Sequence, residues 1–316
     1  MKKFLSFFLL ILSFNLTSHE FNPAHLIIDQ SDDNQNIYDA TWMYPVKNIG
    51  KRADVIFPDM CNSNGSDPFV QGKYIIEKIS LECNESIKGK FIEIINLSVL
   101  TDALVTINFN EDTFEGLINV QKNKIEIPLV DQYYPTAYLY LGVGHLFDGL
   151  DHILFIFGLL FCINGLVNII KTITAFTVAH SITLGLSVYD IIYLPQGTVE
   201  ALIALTIVYL ALEINDSDKQ LKTPWLMAFS FGLLHGLGFA GALSDIGIAN
   251  DQMLLSLLFF NIGIELAQIA LIPLPLLLIY FASKINFQNY LQITASLCIG
   301  GMGFYWFIDR VIGIIL

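Results

Sequence analysis

The chain has 316 residues, of which 54% are hydrophobic and only 14% charged, with a formal net charge of −13. A soluble globular protein carries about 25% charged residues, so this composition excludes one and requires an integral membrane protein with a water-facing part. The acidic excess argues against nucleic acid as a partner and mildly favours cations.

Met1 to about Ser18 reads as a signal peptide, with Lys2-Lys3, the apolar run Phe4–Leu12, then Ser13, Thr17 and Ser18. That run is shorter than the roughly 20 residues a span needs. Residues 19–135 form the water-facing part, and residues 19–137 carry 18 acidic against 9 basic side chains. Short β-type runs recur at Asp39–Tyr44, Ala53–Phe57, Tyr74–Leu81, Lys90–Leu97, Leu104–Phe109 and Lys124–Val130. Turn chemistry separates them, as in Asn48-Ile49-Gly50, Asn62-Ser63-Asn64-Gly65-Ser66 and Gln121-Lys122-Asn123. This pattern predicts an exported all-β, sandwich-like domain of roughly 110 residues.

No catalytic motif stands in that domain. His19 and His25 could help bind a metal, but a lone histidine near a terminus is expected to be solvated. Export would permit a disulfide between Cys61 and Cys83. Cys162 and Cys298 lie in apolar runs and read as small core residues. With no CxxC, a cysteine-based zinc site is not expected. Asp131–Pro135 forms a short linker.

From Tyr138 to the C-terminus at residue 316 the chain reads as an α-helical membrane domain. Six spans are expected, at about 141–164, 172–191, 196–214, 224–244, 253–281 and 290–313. A seventh segment follows if the fifth breaks at Pro273 and Pro275. Lys171, Lys219, Lys222 and Lys284 follow spans one, three and five, whereas Asp190–Pro195 and Asp245–Gln252 carry no basic residue. Positive loops belong in the cytoplasm, which places the β domain and both termini outside. Arg310 is the exception.

Ionisable groups within such spans are costly and mark partners, cavities or ions. Leu141–Phe155 holds two histidines and two aspartates. On one continuous helix His145, Asp148 and His152 would fall within roughly 60° of one another, with Asp151 turned about 100° from His152. His180 lies on span two, Glu200 opens span three, and His235 lies on span four. Asn261 and Glu265 lie one turn apart on span five, and Glu213 sits at the inner end of span three. Topology directs most of these groups into the outer half of the membrane. Small residues flank them (Gly142, Gly144, Ala179, Ser181, Gly236, Gly238, Gly241), which lets helix backbones approach. Imidazole and carboxylate without thiolate suit a divalent transition metal such as nickel or zinc. Candidate ligands are His145, Asp148, Asp151, His152, His180, Glu200, His235 and Glu265, with Asp151 the expected partner of a ligand or proton acceptor. Packed histidines bonded across helices, or a proton relay, would use the same residue types.

These phrases resemble the HupE/UreJ family. The resemblance rests on His145-x5-Asp151-His152, Phe176-Thr177-Val178-Ala179-His180-Ser181-Ile182-Thr183-Leu184, Val199-Glu200-Ala201-Leu202-Ile203-Ala204, Phe231-Gly232-Leu233-Leu234-His235-Gly236-Leu237-Gly238-Phe239-Ala240 and Phe260-Asn261-Ile262-Gly263-Ile264-Glu265. It covers about residues 138–270. It implies a nickel permease of the bacterial inner (cytoplasmic) membrane, with His145, Asp151, His152 and His235 handling the metal. The exported domain is similar to that of the family's longer branch.

Three functions follow as expectations. The first is a divalent-metal permease in which Glu265 and Glu213 offer steps farther in. Because a neutral imidazole is the ligand, its uptake should fall as pH drops through about 6.5. The second is a membrane-embedded zinc hydrolase, with Asp151 or Glu200 activating water and Ser181 nearby. The third makes the β domain a module for an exported partner, with the helices its anchor in the lipid bilayer.

Overall fold

The structure is a computed structural model that describes residues 23–46, 52–98, 101–110, 112–129, 135–215, 223–246 (side chains through 238) and 253–315. The predicted signal peptide, His19 and most of the Asp131–Pro135 linker lie outside the described residues.

The N-terminal part is β-rich. Among the described residues seven strands form one sheet: β1 (Ala24–Gln30), β2 (Ile37–Pro45), β4 (Cys61–Gly65), β5 (Phe69–Gln71), β6 (Tyr74–Cys83), β8 (Ala103–Asn108) and β9 (Thr113–Ile118). Their order is β4-β6-β2-β1-β8-β9, with β5 also on β6. A second sheet, in the order β10-β7-β3, comprises β3 (Asp54–Ile56), β7 (Phe91–Ile95) and β10 (Lys124–Glu126). Every pairing is antiparallel except β1 with β8, where Ala24 lies opposite Ala103. Ala24, Leu26 and Ile28 of β1 share one core with Trp42, Ile92, Ile94 and Ile125, so the two sheets bury their apolar faces together.

The opposite face of the larger sheet is covered too. Leu104 of β8 is fully buried in the helical core beside Tyr138 and Leu141, and Leu117 of β9 packs against it. Two-sided burial removes the polar–apolar alternation by which strands are usually recognised. That is why β1, read as Ala24-His25-Leu26-Ile27-Ile28, adds a strand to those expected. β9 was obscured by Glu115 and Gly116 in its middle. The Asn62–Ser66 stretch, expected as a turn, is edge strand β4, exposed along its length and paired to β6. His25 corrects a second expectation: it is buried, not solvated, and its Nε2 lies 2.9 Å from Thr106 Oγ1. Cys61 and Cys83 stand opposite one another across β4 and β6 and are disulfide-bonded.

Among the described residues eight helices follow. They are α1 (Thr136–Asp148), α2 (Leu150–Phe161), α3 (Leu166–Val188), α4 (Gln196–Asn215), α5 (Pro224–Ile246), α6 (Met253–Leu271), α7 (Pro273–Lys284) and α8 (Gln288–Ile315). Gly165, at φ +89°, makes the reversal into α3 in a conformation that a side chain would strain. Among the described residues four segments are long and apolar enough to cross a membrane: α3, α4, α6 with α7, and α8. The pair α1 and α2 passes the same test jointly but is bent by 72°. The first expected span, 141–164, is therefore corrected: it starts at Thr136 and breaks at Gly149. At Pro273, where a tilt, kink or break was open, the helix is interrupted only around Ile272, whose backbone stays helical, and α6 with α7 remain one apolar segment without a seventh.

Glycines set the helix spacing. A Cβ at Gly142 of α1 would overlap the Phe260 carbonyl oxygen of α6, and one at Gly236 of α5 would overlap the His180 carbonyl oxygen of α3. Each helix pair is thus held at backbone contact, which fixes where their histidines meet.

At the junction of the two parts, the Tyr138 hydroxyl of α1 lies beside the Glu115 carboxylate of β9. Burial, reinforced by the Asp148 carboxylate, pushes Asp102 up from 3.8 to about 6.

Replacing Cys61 and Cys83 by serine should cost about 2–4 kcal/mol of β-domain stability, read as a lower midpoint in denaturant against the wild type. Asp102 favours the folded state below pH 3.8, and this contribution is lost as pH rises through about 6. Asp102→Asn should flatten the fall in melting temperature across that window; an unchanged slope would place the titration elsewhere.

Candidate metal centre

The break at Gly149 builds the site. Seven residues of unbroken helix would separate His145 from His152 by roughly 10 Å along the axis. With the chain turned at Gly149, their ring centroids lie 4.6 Å apart. His180 arrives from α3, with its ring 6.1 Å from His145 and 6.5 Å from His152. Ligand atoms of His145, His152 and His180 all lie within 4.8 Å of one another. His235 of α5 is the fourth member, its ring 5.2 Å from His152. All four side chains are buried.

The hydrogen bonds say which nitrogens remain for a ligand. His152 Nδ1–H donates to Asp151 Oδ1 at 3.1 Å. Asn261 directs its Nδ2 to the Leu257 carbonyl, so its Oδ1 accepts from His180 Nδ1–H at 3.2 Å. Thr206 donates its own hydroxyl hydrogen to the Ile203 carbonyl and accepts from His235 Nε2–H at 3.3 Å. These partners hold three imidazoles in defined tautomers, each with a lone pair on the opposite nitrogen. His152 Nε2, His180 Nε2 and His235 Nδ1 are buried with no hydrogen-bond partner among the described residues. A buried, unsatisfied polar atom is costly, and a shared cation would satisfy several at once. Imidazole–metal bonds are about 2 Å, so an ion would draw these donors slightly inward. The walls are apolar: Phe155 and Phe176 lie 4.9 and 5.1 Å from His235, and Phe260 lies 5.5 Å from His145.

The remaining predicted residues are placed as follows. Asp151 stands behind His152, its Oδ1 also accepting the His152 backbone N–H at 2.9 Å. Asp148 is exposed at the end of α1; its expected position on the His145 face required one continuous helix, which the break at Gly149 removes. Glu200 is bound elsewhere, 2.8 Å from Arg310 Nε and 2.9 Å from Gln196 Nε2. That ion pair also accounts for Arg310, the exception to the charge pattern. Glu265 is half-buried and accepts a hydrogen bond from Thr174 at 2.7 Å. Ser181 donates to the Thr177 carbonyl of its own helix at 2.7 Å.

Thr206 was missed by sequence reasoning. A threonine within an apolar span is common enough to pass unnoticed, and its link to His235 appears only once α4 and α5 are packed. A cavity of about 640 Å³ between β9 and α1 is lined by Asp102, Glu115, Glu126, Tyr140 and Gly144, and so ends one residue before His145.

Residues 121–310, well over half of the chain, match the family model described as HupE / UreJ protein, and the chain belongs to that family. No curated protein and no solved structure matches the chain.

Two substitutions test the geometry. A Cβ at Gly149 would lie 2.7 Å from His152 Nδ1 and 3.0 Å from Asp151 Oδ1. Gly149→Ala should therefore weaken Co²⁺ binding while helix content by circular dichroism is kept. Asp151→Asn should weaken it about 10–100-fold, the usual effect of removing the partner of a ligating histidine. Wild-type affinity in both variants, by titration of the Co²⁺ absorption bands, would show that the imidazoles do not hold the ion.

Proposed function

We propose that this multi-pass HupE/UreJ protein is a divalent-metal permease, with nickel the ion its family association favours. The observation that carries the reading is the set of buried nitrogens on His152, His180 and His235 that have no hydrogen-bond partner among the described residues, beside His145 in an apolar enclosure. Neutral nitrogen donors with no thiolate suit Ni²⁺ or Zn²⁺. In this reading six spans cross the bacterial inner membrane and the β domain lies outside, above the cavity that ends at Gly144. Two cation–π pairs fit that orientation: Lys171 over Trp225 at 4.7 Å and Lys284 over Tyr280 at 5.4 Å stand at the helix ends assigned to the cytoplasm.

The ion is cargo, so the protein's own residues bind it and then release it. Asp151, Asn261 and Thr206 keep each imidazole in the tautomer that presents a lone pair. Phe155, Phe176 and Phe260 limit water around them. Asp151 also balances part of the cation's charge, which makes entry into a low-dielectric site less costly. The hydrolase reading is weaker, because the Ser181 hydroxyl is committed to its own helix and Asp151 to His152.

The test is nickel accumulation by cells that carry or lack the protein. Wild type should raise accumulation, and His152→Ala should return it to background with the protein still present in the membrane. Accumulation that is unaffected by His152→Ala would sink the permease.

A further inference from the structure

Below the imidazoles, α3 and α6 share a polar seam of which the site just described uses only Asn261. Asn261, Glu265 and Gln268 stand at i, i+4 and i+7 on α6, and Thr174 and Thr177 stand three apart on α3, so each set occupies one helix face. The faces meet. Thr177 Oγ1 donates to Gln268 Oε1 at 3.0 Å, and Thr174 Oγ1 donates to Glu265 Oε1 at 2.7 Å. Gln268 and Thr177 are buried, whereas Glu265 is half-buried and Thr174 exposed. The seam therefore starts at the His180–Asn261 bond and reaches the outside of the bundle about two turns of α3 away, roughly 9 Å.

Seams of this kind can be glue between helices, and a threonine–glutamine bond serves that purpose. Glu265 does not fit so simply. A carboxylate about 18 Å along α6 from Met253, in a helix of mean hydropathy high enough to span, is costly without a cation or an aqueous opening. Two hydroxyl oxygens, an amide oxygen and a carboxylate make an oxygen-only donor set. Such a set prefers a harder ion environment than imidazole and holds a divalent cation weakly when only one ligand is charged. Weak binding is what a step on a conduction path requires, since the ion must leave as well as enter.

We propose that Thr174, Thr177, Glu265 and Gln268 form a second, oxygen-lined site for a divalent cation, the step that follows the imidazole cluster. The inference rests on the permease reading for its role, but its site is testable without transport. In the bound state the two threonine hydroxyls turn their hydrogens away, and Glu265 supplies the charge. Asn261 connects the two sites, holding His180 through Oδ1 while standing one turn from Glu265.

Mn²⁺ is the probe, because it favours oxygen ligands. Binding to the full-length protein in detergent is followed by loss of the free-ion electron paramagnetic resonance signal. Wild type should bind Mn²⁺, Glu265→Gln should bind it about tenfold or more weakly, and His152→Ala should bind it as wild type does. Gln keeps an acceptor for Thr174, so the helix contact survives; Thr177→Val serves as a second variant and should weaken binding in the same direction. Mn²⁺ binding that is absent from wild type, indifferent to Glu265→Gln, or lost in His152→Ala alone would overturn the inference. Nickel binding measured on the same samples separates the two proposals. If nickel is indifferent to His152→Ala while Mn²⁺ depends on Glu265, the permease reading fails and the oxygen site stands.

Discussion

The site depends on one constraint: imidazoles placed in an apolar bundle need a partner for each nitrogen. Asp151, Asn261 and Thr206 satisfy one nitrogen on each of His152, His180 and His235, and the opposite nitrogen stays buried with no hydrogen-bond partner among the described residues. An apolar interior makes that arrangement costly. A packed polar network that served stability alone would have closed on itself. Four rings from four helices instead turn toward one another, and a cation is the simplest partner that satisfies them together.

Backbone geometry makes the convergence possible. Gly149 ends one helix and begins the next without a side chain that would meet His152. Gly142 and Gly236 bring α1 against α6 and α3 against α5 at backbone contact. The ring positions are consequently set by packed main chain rather than by flexible side chains, which pre-organises the cluster. The β domain is part of the same construction. Leu104 and Leu117 bury themselves against the helical core, and the Asp148 carboxylate acts on Asp102, which lines the cavity between β9 and α1.

Much of this was legible in the sequence, for physical reasons that differ by region. Ionisable groups in apolar runs are few and costly, so His145, His152, His180 and His235 stood out and do come together. Asp151 was readable as the partner of a ligand or a proton acceptor, but its turn of about 100° from His152 aimed it at a different neighbour, whereas it bonds His152 itself. The break at Gly149 was not read: glycines are common in membrane helices, and the Asp148-Gly149 dipeptide, a turn signal, is the local mark of this corner. Asp148 was misplaced for that reason, and the first span was drawn as one helix. Glu200 was expected among the imidazoles, but its pairing with Arg310, distant in sequence on α8, appears only in the packed bundle. In the β domain, β1 and β9 escaped because burial on both faces, or polar residues within the strand, erases the alternation. His25 looked solvated only because β1 had not been seen.

The most direct test of the account is X-ray absorption at the nickel edge of the purified, nickel-loaded protein. The account predicts a first shell of nitrogen and oxygen with outer-shell scattering from three or more imidazoles, no sulfur, and loss of imidazole scattering in His152→Ala. A shell of oxygen alone, or one containing sulfur, would contradict it.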